Sequence, residues 1–197
     1  MNQFNLDGQE FESFGKIPRM TKAMPMIITE KLDGTNAQIY IYPDAQGNLQ
    51  LQAGSRKRWI YPGCDNYGFA SWCEKNFETL IALLGEGRHF GEWVGPGIQK
   101  NIYALDEKRF YLFNTLRWGN VTEFPAGVGV VPVLHHGGFD SRIIEDTMYG
   151  LQQSGSHVRP LDVPKGGKPE GIIIYLPKSR QLFKRTFEYE EGKWGAK

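Results

Sequence analysis

The residue pattern predicts an α+β fold of mainly antiparallel sheets flanked by a few helices. Three observations lead there: short segments of strand-like character recur along the chain, only two stretches repeat at helical spacing, and glycine is abundant. Twenty-four glycines among 197 residues exceed ordinary usage and favour turns and close backbone approaches over long helices. Many short strands with few helices are the mark of a mixed architecture.

Taken in order, Met26–Thr29 reads as a short strand running into Glu30-Lys31-Leu32-Asp33-Gly34-Thr35-Asn36, and Ala37–Tyr42 resumes as a strand. Asp44–Asn48 is a turn cluster, and Leu49–Gln52 alternates beyond it, so an antiparallel hairpin is expected. Phe69, Trp72, Cys73, Phe77, Leu80, Ile81 and Leu84 recur at helical spacing, with Gly85 as the stop. Strands follow at Arg88–Val94, Arg109–Thr115 and Val128–Leu134. A second helix starts after Asp140, its N-cap, and carries Ile143, Ile144, Met148 and Leu151. Gly171–Tyr175 and Gln181–Phe187 supply the last strands. With no internal repeat or long linker, residues 1–197 are expected to form one domain.

A formal net charge of +1 gives the whole chain no affinity for polyanions, so a nucleic-acid partner must be met by a local basic surface. Cys64 and Cys73 fit neither a zinc pair nor a disulfide scaffold, and read as reduced thiols. Met1–Glu12 is polar and acidic, unlike a signal peptide, and the apolar run Met24–Ile28 is too short to span a bilayer. A soluble, cytoplasmic protein is expected. Two glycine decoys fail: Gly85-x-Gly87 has Phe90 where a dinucleotide fingerprint needs glycine, and Gly166-Gly167-Lys168 lacks the Ser or Thr of a P-loop. His135-His136 has no ligand-spaced partner and reads as structural, while Met20, Met24 and Met26 read as packing residues.

The chemistry centres on Lys31. An Asp-Gly turn two residues later lets the backbone bend sharply and projects the lysine from a strand end. A lysine nucleophile must shed its proton, and neighbouring cations or a metal on bound phosphates would help it do so. Taken alone, Lys31-Leu32-Asp33-Gly34-Thr35 could be an exposed hairpin turn. It is followed, however, by Ser55-Arg56, Phe90-Gly91-Glu92, Tyr111-Leu112-Phe113, Glu170-Gly171-Ile172-Ile173 and Leu182-Phe183-Lys184.

In that order and spacing the set resembles the covalent nucleotidyltransferase superfamily of ATP-dependent DNA ligases, RNA ligases and mRNA capping enzymes, across Glu30 to Lys184. Thr35-Asn36 is most similar to RNA ligases, especially the second RNA ligase type of phage T4; DNA ligases and capping enzymes usually carry arginine where Asn36 stands. The resemblance implies the ligase/capping-enzyme fold, with ATP and Mg2+ or Mn2+ as cofactors and RNA ends, in a nicked duplex or a single strand, as partners. It implies that Lys31 takes AMP from ATP and that Glu30 contacts the adenine amino group. Arg56 would bind phosphate, Glu92 the ribose hydroxyls, and Phe113 would stack on adenine, with Tyr111 on the same face as its rival. Glu170 would hold the metal, Lys184 would neutralise the α-phosphate, and Asn36 would engage the RNA end. In the basic run after Arg56, Lys57 and Arg58 are candidates for RNA backbone contacts, and Trp59 and Tyr61 for stacking on unpaired bases or for the core.

Phosphoryl transfer needs an oriented nucleophile, cations and carboxylate-held metal, which agrees with this set. Strand parity places Glu170 with Ile172 and Ile174, and Lys184 with Leu182 and Thr186. Two departures stand out. The family's last motif usually has two lysines in alternation; here Leu182 and Thr186 flank Lys184, Arg185 faces away, and Arg180 is the candidate second cation. The chain also stops about a dozen residues after that motif, so a minimal catalytic domain without an appended OB-fold is expected. The expected activity is RNA ligation through a lysyl-AMP intermediate, as in RNA repair. The alternatives are a DNA ligase core, DNA ends replacing RNA, and a non-catalytic nucleotide- or RNA-end-binding module of the same fold.

Overall fold

A computed structural model describes residues 13, 15, 24–158 and 169–188 of the chain. Its strands, in chain order, are β1 (Pro25–Lys31), β2 (Thr35–Pro43), β3 (Leu49–Ser55), β4 (Gly87–Val94), β5 (Arg109–Leu112), β6 (Val128–Val130), β7 (Val133–Gly138), β8 (Gly171–Leu176) and β9 (Gln181–Thr186). The helices are α1 (Phe69–Lys75), α2 (Phe77–Leu84), α3 (Thr115–Trp118) and α4 (Ser141–Ser154). One sheet has the order β7-β1-β8-β9 and the other β3-β2-β4-β5-β6. Every pairing is antiparallel except β5 with β6. The expected α+β class, with mainly antiparallel sheets and few helices, is what forms. The N-terminal segment Met1–Glu12, Met20 and the decoy Gly166-Gly167-Lys168 lie outside the described residues.

Each sheet buries one face. Met26, Ile28, Ile172 and Ile174 of the first sheet pack beneath Met148 and Leu151 of α4. Ile39, Ile41, Ala53, Trp93, Phe110 and Leu112 of the second sheet pack beneath Phe69, Cys73, Leu80 and Leu84 of α1 and α2. Period-two alternation thus sends every second side chain of β2 into a core and leaves Asn36, Gln38, Tyr40 and Tyr42 on the other face. A third cluster includes Leu32, Val94, Tyr103, Tyr111 and Val131, so residues next to β1 pack with residues of β4 and β5.

Three elements depart from the sequence expectation, each for a local reason. The single helix over 69–84 breaks at Asn76, whose side-chain amide donates to the Trp72 carbonyl at 2.8 Å and competes with the helical ladder. The strand from Arg109 ends at Leu112, because Asn114 caps α3 by accepting from the Arg117 amide at 3.1 Å. The expected strand Val128–Leu134 is two strands in different sheets. Pro132 between them has no N–H for a ladder, and its carbonyl instead accepts from the Glu30 amide at 2.9 Å. The chain therefore passes between the sheets twice, at Leu32–Gly34 and at Val131–Pro132. By contrast Asp140 caps α4 as expected, accepting from the Arg142 amide at 2.9 Å. Among the described residues no helix is long and apolar enough to cross a membrane.

Candidate active site

Lys31 is the last residue of β1, paired with Gly171 of β8. Its Nζ lies 2.5 Å from Oε1 of Glu170, and both side chains are largely but not wholly withdrawn from solvent. The turn that follows is pressed against β4. A Cβ on Gly34 would meet the Trp93 carbonyl oxygen at 2.6 Å and Glu92 Cγ at 2.9 Å, so only glycine permits this approach. The loop after β4 clamps the same turn. The Tyr103 hydroxyl accepts from the Asp33 amide, and the Gln99 amide donates to the Gly34 carbonyl at 3.4 Å.

Glu92 is buried in the middle of a cross-strand row, Asn36–Glu92–Tyr111, on the face of its sheet away from the α1–α2 core. It accepts from the Asn36 side chain at 3.1 Å and from the Gly34 backbone amide. Burial drives its carboxyl up to about 7, opposed by Lys31 and reinforced by the negative charges of Glu170 and Asp33. Burial also raises Asp33, against the pull of Lys31 and Lys100. One lysine is thus surrounded by three carboxylates on three segments. Among the described residues no group of three His, Cys, Asp or Glu side chains forms a ready-made metal cage.

Glu30, adjacent in sequence, is 1% exposed. Its Oε2 accepts from the His157 amide at 2.9 Å, whereas its Oε1 is buried with no hydrogen-bond partner among the described residues. Burial pushes this carboxyl upward, against the lowering effect of its hydrogen bonds to Ser156 and His157. A buried acceptor without a donor is costly unless something else completes it.

The remaining predicted residues divide by place. Lys184 is exposed on β9, in register with Ile173, which is itself in register with Thr29; the lysine therefore shares the Lys31 face. Parity fails for Glu170. It lies just outside β8, where Gly171 has φ +150°, and its carboxylate reaches Lys31 rather than following Ile172 into the α4 core. Arg180 is no second cation for this site. It sits in the β8–β9 turn, six positions from the Thr186 level that matches Lys31, or roughly 20 Å along the strand. Arg185 is ion-paired with Glu145 of α4 at 2.5 Å. Arg56 and Lys57 are exposed in the loop after β3, and Arg58 turns back to place its guanidinium 2.7 Å from the Cys64 sulfur. Phe113 is 41% exposed beyond β5 while Tyr111 is buried at 8%. Asp33, Gln99, Lys100 and Tyr103 join the site without having been singled out from the sequence; the Asp-Gly turn alone offered a signal, and only for Asp33.

A family model described as RNA ligase matches residues 24–187. No curated protein matches the chain. Among solved structures, a mutant of Naegleria gruberi RNA ligase with ATP and Mn superposes with a TM-score of 0.62 at 20% identity, covering 87% of this chain and 52% of that one. Another mutant of the same ligase, with AMP and Mn, gives 0.61 at 19% identity, covering 88% and 53%. The form with PPi gives 0.59 at 20% identity, covering 88% and 52%. The likeness is one of fold, and the chain spans about half the length of these structures.

Proposed function

Because the chain belongs to the RNA ligase family, we propose that it joins a 5′-phosphate to a 3′-hydroxyl of RNA, using ATP. The observation that carries this reading is Lys31 at a strand end, in contact with Glu170 and near buried Glu92. A lysine in such a setting is far better explained as an oriented nucleophile than as a surface charge.

In the first transfer the Lys31 amine, free of its proton, attacks the α-phosphorus of ATP. A nitrogen–phosphorus bond forms as the nitrogen sheds a proton to solvent, the bond to the pyrophosphate oxygen breaks, and pyrophosphate leaves. In the second, a 5′-phosphate oxygen of the RNA attacks that phosphorus, the nitrogen–phosphorus bond breaks, and Lys31 takes up a proton from solvent to leave as the free amine, giving a 5′-adenylylated end. In the third, the 3′-hydroxyl attacks that 5′-phosphate, loses its proton and expels AMP. The catalytic demand is positioning and charge neutralisation throughout.

Glu30 Oε1, buried and without a donor among the described residues, suits the adenine amino group and would favour ATP over GTP, whose ring offers a carbonyl there. Glu92 would take the ribose hydroxyls and Phe113 would stack on the base. Lys184, on the Lys31 face, and Arg56, at the end of β3, would neutralise phosphates. Asn36, held by Glu92, would engage the RNA end, with Lys57 and Arg58 along its backbone. Glu170 would hold Mg2+ or Mn2+ together with phosphate oxygens, consistent with a metal that binds through few carboxylates plus substrate; the ion would neutralise charge on the phosphates.

The test is incubation with magnesium and α-labelled ATP or GTP, followed by a denaturing gel, and then sealing of breaks bearing RNA or DNA on the 3′-hydroxyl side. ATP-specific covalent label and sealing that needs a 2′-hydroxyl are expected. Equal label on Lys31→Ala would sink the proposal, and sealing of DNA as fast as RNA would replace it with a DNA ligase.

A further inference from the structure

The Asn36–Glu92–Tyr111 row is the first of three on the open face of the second sheet. One alternation along, about 7 Å away, the register aligns Gly54, Gln38 and Phe90. Trp59 bridges to Gly54 at one end of that row, and the Phe113 amide donates to the Phe90 carbonyl at the other. A further alternation brings Gln52, Tyr40 and Arg88 into line. The Arg88 guanidinium lies 4.2 Å from the Tyr40 ring centre and 5.2 Å from that of Trp59. Tyr40 stacks on Trp59 at 6.2 Å and on Tyr42 at 5.0 Å.

These aromatics are not core. Trp59 is 44% exposed and Phe90 52%, whereas their chain neighbours Ile60 and His89 are buried. Gly54 leaves room for the indole against the sheet, since a Cβ there would lie 3.0 Å from the ring. No carboxylate stands in these two outer rows, and the basic loop Arg56-Lys57 leads into Trp59. Flat, exposed rings interleaved with cations, continuous with a site that handles phosphates, are the elements of a single-strand stacking platform. A duplex offers no free base faces to such a surface.

The geometry points to an unpaired-RNA track on this face: bases next to the end being joined stack on exposed Phe90 and Trp59, the latter braced by Tyr40 and Arg88, with the Arg56-Lys57 loop meeting the backbone. The identity of the polymer rests on the ligase reading; the surface itself does not. The protein would therefore prefer ends in single-stranded RNA over a fully paired nick.

The full chain is titrated with a dye-labelled short oligoadenylate, and with the same strand fully paired, following anisotropy for wild type, Trp59→Ala, Phe90→Ala and Phe90→Tyr. Wild type is expected to bind the single strand more tightly than the duplex. Each alanine variant loses about tenfold or more of single-strand affinity, and Phe90→Tyr retains it. Far-UV circular dichroism checks that each variant is folded, and covalent AMP labelling of Trp59→Ala is expected to stay at the wild-type level, because Trp59 lies outside the nucleotide pocket. Equal binding of duplex and single strand would overturn the track. So would alanine variants that bind as wild type, including the case where they instead alter association with a protein partner. Labelling without single-strand binding defeats this proposal alone, whereas single-strand binding without labelling defeats the ligase reading alone.

Discussion

Glu92 offers a quantitative handle on the site. Its carboxyl stands at about 7 in the folded protein, against an ordinary 4.5, mainly because it is buried. The folded state therefore holds this proton more tightly than the unfolded chain, and stability falls as pH rises from near the unfolded value to beyond the folded one. Between about pH 5 and about pH 8 the loss from this one group amounts to about 2–3 kcal/mol. Glu92→Gln removes the titration but keeps the shape. It disturbs one of the hydrogen bonds that Asn36 and Gly34 donate, a fixed loss of about 1 kcal/mol. Urea denaturation of both proteins at the two pH values is the assay. The variant is expected to gain about 2–3 kcal/mol relative to wild type on going from pH 5 to pH 8. AMP labelling should meanwhile fall tenfold or more if Glu92 is the acceptor proposed for the ribose hydroxyls. A stability difference that does not change with pH would refute the claim that Glu92 is a buried, strained acid beside Lys31.

Other substitutions test separate links of the account. Gly171→Ala would place a Cβ 2.1 Å from the Arg185 carbonyl oxygen at a φ of +150°, and is expected to lower stability in denaturant by about 2–4 kcal/mol and to reduce labelling by displacing Glu170. Asp140→Ala removes the N-cap of α4 and should lower stability by about 1 kcal/mol while AMP labelling is unchanged. Burial pushes the Cys73 thiol far up, so under native conditions iodoacetamide should modify half-buried Cys64 and reach Cys73 only after denaturation; peptide mass mapping reads this directly.

What could be read from the sequence was what neighbouring residues decide among themselves. The Lys31–Gly34 turn, the β2–β3 hairpin and the Asp140 cap each depend on a few adjacent side chains, and each formed where the residues indicated. Parity along β9 put Lys184 with Thr186, but only the pairing of β9 with β8 and of β8 with β1 makes that the Lys31 face. Long-range choices were not legible. Nothing local says that Val130 ends one sheet and Val133 begins another, since either side of Pro132 reads as strand. The loop that clamps the lysine turn uses left-handed backbone at Gln99, Asn101 and Ala104, conformations that only the packing of Ile98, Ile102 and Tyr103 can enforce. Glu170 escaped the parity argument because alternation holds only within a strand, and a glycine at its mouth redirects the chain.

The most direct measurement is the intact mass of the purified protein after incubation with ATP and magnesium, followed by mapping of the modified peptide. A gain of one AMP moiety, acid-labile and confined to Lys31, is expected. An unmodified protein that nonetheless binds ATP, or an adduct on any other lysine, would contradict it.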